Sequence, residues 1–393
     1  MTPNPNDPAS FNHRYTATAN GGTIHFVDQG PRAAHVIVFL VHGFPDIWFG
    51  WRHVIPALAA RGYRVIVPSM RGTGLSSVHH ARRDDQDALA AHYSLRAHCR
   101  DLAAVAQAVL RDPPLFNTPA ATAQGRRPRR LVWVGHDWGS AVVGRMPHYH
   151  GVTLVDAVAS LCVPYTPPHT DYLTTRVVAK ALPHFAYQVA FDEGGESLDA
   201  ALDRNVDGAL TMFFQRPESS QSRAPGAAAG LDLDAIVAML GPNGAAMRDR
   251  AAADPAIALG CVLREPGTDP RVFEYYRECF NRTGFHGGLC AYRVRMINHE
   301  DELPFAKRGI EGKRVTLPWL HVTVGKDPCF PPTMGRFQRT LLPNVTVKHI
   351  EDSGHWLQQE QPELTIQHLL GWLEDLQRTE FGGGIYKSQR SHL

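Results

Sequence analysis

Four short apolar runs, each closed by a glycine or a proline, restrict this chain to few architectures. They are HVIVFLVHG from His35, YRVIVPSMRG from Tyr63, RLVWVGHD from Arg130 and VDAVASLCV from Val155. Their apolar positions are continuous rather than alternating, so both faces of each strand must be covered. Helix-like stretches such as LRAHCRDLAAVAQAVL, from Leu95, separate three of the runs. Buried strands alternating with helices build a parallel sheet, which predicts an α/β protein with a mostly parallel central sheet flanked by helices. Upstream, TATANGGTIHFVDQG (Thr16 to Gly30) places Asn20, Gly21 and Gly22 between two β-like runs, the composition of a tight antiparallel hairpin.

The strand pattern stops after Val163 and returns only in TLPWLHVTVGKD and NVTVKHIEDSGHW. Between them lie tyrosine-bearing helical segments and Ala/Gly/Pro-rich links. This predicts a core of residues 1–163 and 306–393 and a mostly helical lid of residues 164–305. An insertion of this kind sits over the carboxyl ends of parallel strands, where ligands bind. The stretches at 113–130 and 216–230 are rich in Pro, Ala, Ser, Gly and Arg without periodicity and read as loops. In the first, the basic cluster Arg126, Arg127, Arg129 and Arg130 is expected to form a solvated rim.

Charge narrows the partners. Forty basic against 38 acidic side chains leave a net charge of +2, too little to call for nucleic acid or an anionic membrane, and a small organic substrate fits better. The six cysteines show no C-x-x-C spacing, so they read as reduced core residues. No apolar run reaches membrane-spanning length and the N-terminus has no apolar leader core, which favours the cytoplasm. A homodimer is compatible with the sequence, and oligomeric state is not legible in it.

The stretch Gly135-His136-Asp137-Trp138-Gly139 ends a predicted strand in the form G-x-D-x-G, a nucleophile elbow carrying Asp where Ser or Cys usually stands. The two glycines let strand and helix meet at a sharp turn, projecting Asp137 above the sheet. The alternative is that Asp137 only caps the following helix. His355 follows the last predicted strand and Asp327 the one before it, giving the chain order nucleophile, acid, histidine of α/β-hydrolases. Asp352 and, further off, Asp156 are the spare carboxylates. An earlier strand ends at His42-Gly43-Phe44-Pro45, which is either a common Gly/Pro turn or the source of a backbone N–H beside the elbow. His148 and His150 are spaced like metal ligands but have no third partner in sequence, and are expected at the surface.

H-G-F-P at 42–45, P-S-M-R-G-T-G-L-S at 68–76, G-H-D-W-G-S at 135–140, G-K-D at 325–327 and D-S-G-H-W at 352–356 stand in order along nearly the whole predicted core. In this the chain resembles epoxide hydrolases of the α/β-hydrolase superfamily, most of all the soluble branch. The resemblance implies an α/β-hydrolase fold with an inserted helical lid. It also implies an oxyanion hole from the backbone N–H groups of Phe44 and Trp138, and substrate contacts from Phe44, Pro45 and Trp138. Two lid tyrosines, Tyr187 in HFAYQVAFDE and Tyr292 in TGFHGGLCAYRVR, match the segments that bind the epoxide oxygen in that family. Tyr275 and Tyr276 read as packing residues. Three departures stand out: Ser69 where an Asp is common, Pro147, which is expected to interrupt the helix after the elbow within about two turns, and the long loop before the elbow strand.

An Asp nucleophile suits substitution at a saturated carbon. A serine would form an ether that water cannot readily cleave, whereas a carboxylate forms an ester whose carbonyl water can attack. The implied reaction opens an epoxide to a vicinal diol, with Tyr187 and Tyr292 supporting the leaving oxygen and His355, oriented by Asp327, activating water. It needs no metal and no organic cofactor. Haloalkane or haloacid dehalogenation with the same Asp, or a non-catalytic ligand-binding homologue of the same fold, are the competing readings.

Overall fold

The computed structural model describes residues 2–112, 129–216, 261–265, 267–335, 338–379 and 381. Within them eight strands form one sheet: β1 (His13–Ala17), β2 (Thr23–Gln29), β3 (Val36–Val41), β4 (Arg64–Pro68), β5 (Arg130–His136), β6 (Ala157–Leu161), β7 (Trp319–Val324) and β8 (Val345–Ile350). Their spatial order is β1-β2-β4-β3-β5-β6-β7-β8. β1 and β2 are antiparallel to each other and β2 is antiparallel to β4, whereas every pair from β4 through β8 is parallel. The N-terminal hairpin turns through Gly21 and Gly22, both at positive φ (78° and 80°).

Continuous apolarity in the central strands has the expected cause. In β3, Val38 and Leu40 pack with Trp48, Trp51, Leu369, Trp372 and Leu373 on one face. Ile37, Phe39 and Val41 face the other way, onto Leu102, Val105, Val142, Val143 and Met146. These last residues belong to the helices Leu95–Leu110 and Trp138–Leu154. Each fully buried Val, Leu, Ile or Phe is worth roughly 1.5–3 kcal/mol of transfer free energy, so a strand buried on both faces is held in register from two sides.

Between β6 and β7 the chain forms helices, among them Thr175–Ala181, Tyr187–Glu193, Gly195–Arg204, Val206–Phe213, Pro270–Thr283, His286–Arg293 and Arg295–Ala306. Buried residues in and flanking them, Phe191, Leu202, Phe214, Phe280, Phe285 and Leu289, belong to the same apolar cluster as one face of the sheet. The inserted helices are therefore packed continuously onto the strands.

Several local expectations are corrected. Pro147 does not end the helix after the elbow: Trp138–Leu154 runs past it and breaks only at Gly151 (φ 55°, ψ −157°). A proline removes one backbone hydrogen bond, which the packed face of this helix outweighs. β8 is an edge strand, exposed from Thr346 to His349 rather than buried along its length. Of the basic cluster before β5, Arg126 and Arg127 lie outside the described residues, but Arg129 is buried and its guanidinium donates to the Arg32 carbonyl. Arg130 pairs with Asp156 at 2.9 Å. Most of the two loop-like stretches, 113–128 and 217–230, lies outside the described residues.

Candidate active site

The register of β3 on β5 pairs Val41 with Gly135, so the two chain segments leaving these strands, His42 to Pro45 and His136 to Trp138, emerge side by side. Close packing at the elbow requires both glycines. A Cβ on Gly139 would lie 2.2 Å from the Val41 carbonyl oxygen, and one on Gly135 would lie 2.3 Å from that of Gly139. The turn forces Asp137 to φ 53°, ψ −125°, a left-handed backbone that a non-glycine residue adopts only under constraint. Asp137 makes no side-chain cap to its own helix. Its Oδ1 instead accepts a 2.9 Å hydrogen bond from the Phe44 N–H, and the Trp138 N–H also donates to the carboxylate.

His355, in the loop after β8, directs Nε2 to 3.6 Å from Asp137 Oδ2. Its Nδ1 lies 2.8 Å from Oδ2 of Asp327, in the loop after β7. Asp327 Oδ1 accepts from the N–H groups of Cys329 and Phe330, which fixes the carboxylate. Asp137, His355, Asp327 and the Phe44 and Trp138 N–H groups thus converge at the carboxyl ends of β3, β5, β7 and β8. Burial pushes the Asp137 carboxyl up, against the pull of His355 and the two N–H donors. For His355 burial works the other way, but Asp327 and then Asp137 outweigh it and raise the imidazole to about 9. Burial would raise Asp327 too, yet the His355 charge and the hydrogen bonds hold it below the usual carboxylate range.

Above Asp137 opens a cavity of about 420 Å³, lined by Asp137, Trp138, Tyr187, Tyr292 and, further out, by apolar residues such as Val178, Leu182, Phe185 and Phe330. Tyr187 begins the helix Tyr187–Glu193 and Tyr292 lies near the end of His286–Arg293. Their ring centroids are 6.2 Å apart, and Tyr292 meets Trp138 edge-on at 5.0 Å. Burial raises both phenols well above their ordinary value; the Trp138 side chain donates to Tyr292 and partly offsets this. Of the expected substrate contacts, Trp138 lines this cavity. The Phe44 ring lines the smaller neighbouring one and packs against Phe191, Phe213, Phe285 and Tyr292. Pro45 is buried behind it, joined to Phe44 by a cis peptide, and lines neither cavity.

Other singled-out residues have structural partners. Asp156 accepts from Arg130 and from the Leu131 N–H, before β6 and so at the opposite end of the sheet. Asp352 is exposed and pairs with Lys326. Ser69 hydrogen-bonds buried His25 at 2.9 Å. Tyr275 and Tyr276 are packed, the first accepting from Trp48 and the second donating to Asp46 at 2.6 Å. His148 and His150 are half-buried, not surface residues: His148 stacks on Tyr165 and His150 bonds the Cys99 carbonyl, because the helix carrying them continues past Pro147.

A buried network behind the site was missed by sequence reasoning. His136 Nε2 donates to the His355 carbonyl at 2.7 Å, and its Nδ1 meets the Gln358 amide at 3.2 Å. Gln358 also reaches Asp46, whose other oxygen accepts from Tyr276. Burial raises the Asp46 carboxyl to about 6. Asp46 lies in the same HGFPD stretch as Phe44, and that proximity was the available signal. Among the described residues, His136, Cys162 and His355 bring possible metal-ligand atoms within 4.8 Å of one another. The His355 Nδ1 of that group faces Asp327 and the His136 Nε2 is taken by a carbonyl, so the set is engaged internally.

A family model described as "Alpha/beta hydrolase family" matches residues 38–368. The chain is 33% identical to epoxide hydrolase A of Mycobacterium tuberculosis, over 91% of this chain and 96% of that protein. It is 29% identical to the mouse (Mus musculus) bifunctional epoxide hydrolase 2 over 95% of this chain, but spans only 57% of the mouse protein's length. Among solved structures it resembles an epoxide hydrolase from an endophytic Streptomyces, with a TM-score of 0.67, 28% identity, and coverage of 94% of this chain and 97% of that one. With most of its length matched by the family model, the chain belongs to the alpha/beta hydrolase family.

Proposed function

We propose that this protein is an epoxide hydrolase that converts an epoxide to a vicinal diol through an ester on Asp137. The observation that carries the reading is the division of labour on one carboxylate. Oδ1 accepts from the Phe44 N–H and the Trp138 N–H donates to the same carboxylate, while Oδ2 lies toward His355 in a cavity shared with two phenols. Oδ2 attacks an epoxide carbon, the C–O bond breaks, and its electron pair passes to the epoxide oxygen, which takes a proton from Tyr187 or Tyr292. Oδ1 then becomes the ester carbonyl oxygen, already inside its oxyanion hole.

Ester formation removes the Asp137 charge that helps hold the proton on His355. That proton is released to the tyrosinate, and the neutral imidazole accepts a proton from the attacking water. The tetrahedral intermediate collapses to the diol and the Asp137 carboxylate, restoring every group. The lid assigned to residues 164–305 supplies both tyrosines, and the core assigned to 1–163 and 306–393 supplies the rest. Dehalogenation is disfavoured because the Trp138 indole, the natural halide donor, is engaged with Tyr292. All six cysteines are free, which supports a reducing, cytoplasmic location.

The test is a panel of epoxides of graded size assayed for diol, run beside haloalkanes assayed for halide. Diol from at least one epoxide, with label from heavy-oxygen water entering Asp137 first under single turnover, is the expected outcome. Halide release without diol formation would reject the reading.

A further inference from the structure

Tyr187 can protonate an epoxide oxygen only if its own hydrogen points into the cavity, and the structure contains a device that governs this. The Gln188 Nε2 lies 3.4 Å from the Tyr187 hydroxyl, and the Gln188 Oε1 lies 3.3 Å from an Arg295 guanidinium nitrogen. An amide can present either end to a neighbour, and a phenol can donate or accept, so the Gln188–Tyr187 pair alone is ambiguous. Arg295 removes the ambiguity. A guanidinium has only donors, so the Gln188 oxygen must face it and the NH2 must face Tyr187. The phenol is thereby made the acceptor toward Gln188, and its hydrogen is directed away from the amide, toward Tyr292 and Cys329 beside it and toward a substrate oxygen in the cavity that Gln188, Arg295 and Tyr187 all line. Arg295 is suited to this task because, among the described residues, it makes no carboxylate ion pair and donates to Gln188. Tyr292 reaches the same state more simply, through the Trp138 indole, which can only donate.

We infer that Arg295 and Gln188 are positioning residues that act as a polarity lock, orienting the Tyr187 hydroxyl as a donor to the substrate oxygen. The inference rests on the epoxide-opening reading and adds to it a determinant of the first chemical step. It makes a directional prediction. Gln188→Glu keeps the shape and pairs with Arg295, but offers Tyr187 only acceptors, so the phenol proton turns away from the substrate.

The experiment measures the single-turnover rate of ester formation with styrene oxide, by intact mass and tryptophan fluorescence, in the full chain. Gln188→Glu should melt at or above the wild-type temperature yet alkylate about 10²-fold more slowly, the lower end for loss of a positioned proton donor. Combining it with Tyr187→Phe should slow the reaction no further than Tyr187→Phe alone. Arg295→Met should lose part of the rate and Arg295→Lys recover it, since an ammonium also only donates. A Gln188→Glu rate within a few-fold of wild type, or effects that multiply in the double variant, would overturn the lock. If the wild type forms neither ester nor diol with any epoxide, the functional reading itself falls and the lock falls with it.

Discussion

At the scale of residues, Asp137 carries two burdens at once. Its backbone sits in a left-handed conformation and its carboxylate is buried, and each would be unfavourable without the N–H donors of Phe44 and Trp138 and the imidazole of His355. Those same neighbours predict how single substitutions separate the two steps. His355→Gln leaves the attacking carboxylate in place but removes the base for water, so intact mass should show the enzyme heavier by one epoxide, with diol formation slower by roughly 10²–10⁴-fold. A variant that turns over normally with no adduct would remove His355 from the mechanism. Alkylation in that variant should weaken as pH falls, because a buried Asp137 whose pKa is raised protonates sooner than an ordinary carboxyl. The stability of the wild type carries the opposite sign. The folded His355 value of about 9 exceeds its ordinary 6.5, so its contribution is complete below 6.5 and is lost as pH rises through 9. Thermal melts between pH 6.5 and 9.5 should fall more steeply for wild type than for His355→Gln.

At the scale of elements, the helix His286–Arg293 has to deliver Tyr292 to within reach of Asp137, and it does so by approaching the core backbone. A Cβ on Gly287 would stand 2.5 Å from the Gly72 Cα and 2.5 Å from the Gly72 carbonyl oxygen. Backbone cannot swing aside as a side chain can, so Gly287→Ala must displace the helix. We expect a loss of about 1–3 kcal/mol in urea denaturation, the usual range for overpacking, and slower ester formation because Tyr292 moves with the helix. Unchanged stability and rate would show that the contact is not tight. This helix also marks what the sequence could and could not reveal. The strands were legible because continuous Val, Ile and Leu runs have one physical explanation, and Asp137, Asp327 and His355 were legible because they end such runs. Three features depend on contacts between distant segments, and no local pattern reports them: the half-burial of His148 and His150, the burial of Arg129, and the Asp46–Gln358–His136 network. The exposed face of β8 escaped notice for a related reason, since whether a strand lies at the edge is decided by sheet order.

For the molecule as a whole, burying polar groups on both sides of the sheet creates a liability at low pH. His25, His42, His98, His136 and His321 are all buried, and desolvation lowers them to about 3, 4, 3, 3 and 4 respectively. Each is neutral in the folded protein at pH 5 but charged in the unfolded chain. A group whose folded value is depressed in this way favours the native state fully above its unfolded value near 6.5, and that stability is lost as pH falls toward the folded value. One such histidine costs about 1.4 kcal/mol per pH unit within that window, a sizeable share of the 5–15 kcal/mol by which domains are typically stable. The five belong to different parts of the fold: His25 bonds Ser69, His42 accepts from the Met70 N–H, His98 is buried in the helix Leu95–Leu110, His136 supports the His355 loop, and His321 meets Ser160. Their protonation should therefore unfold sheet and site together. Urea titrations at pH 7, 6 and 5 should give midpoints that fall at each step, with loss of diol formation tracking loss of far-UV circular dichroism. Activity that disappeared well before the secondary structure would locate the acid sensitivity in Asp137 alone rather than in the buried imidazoles.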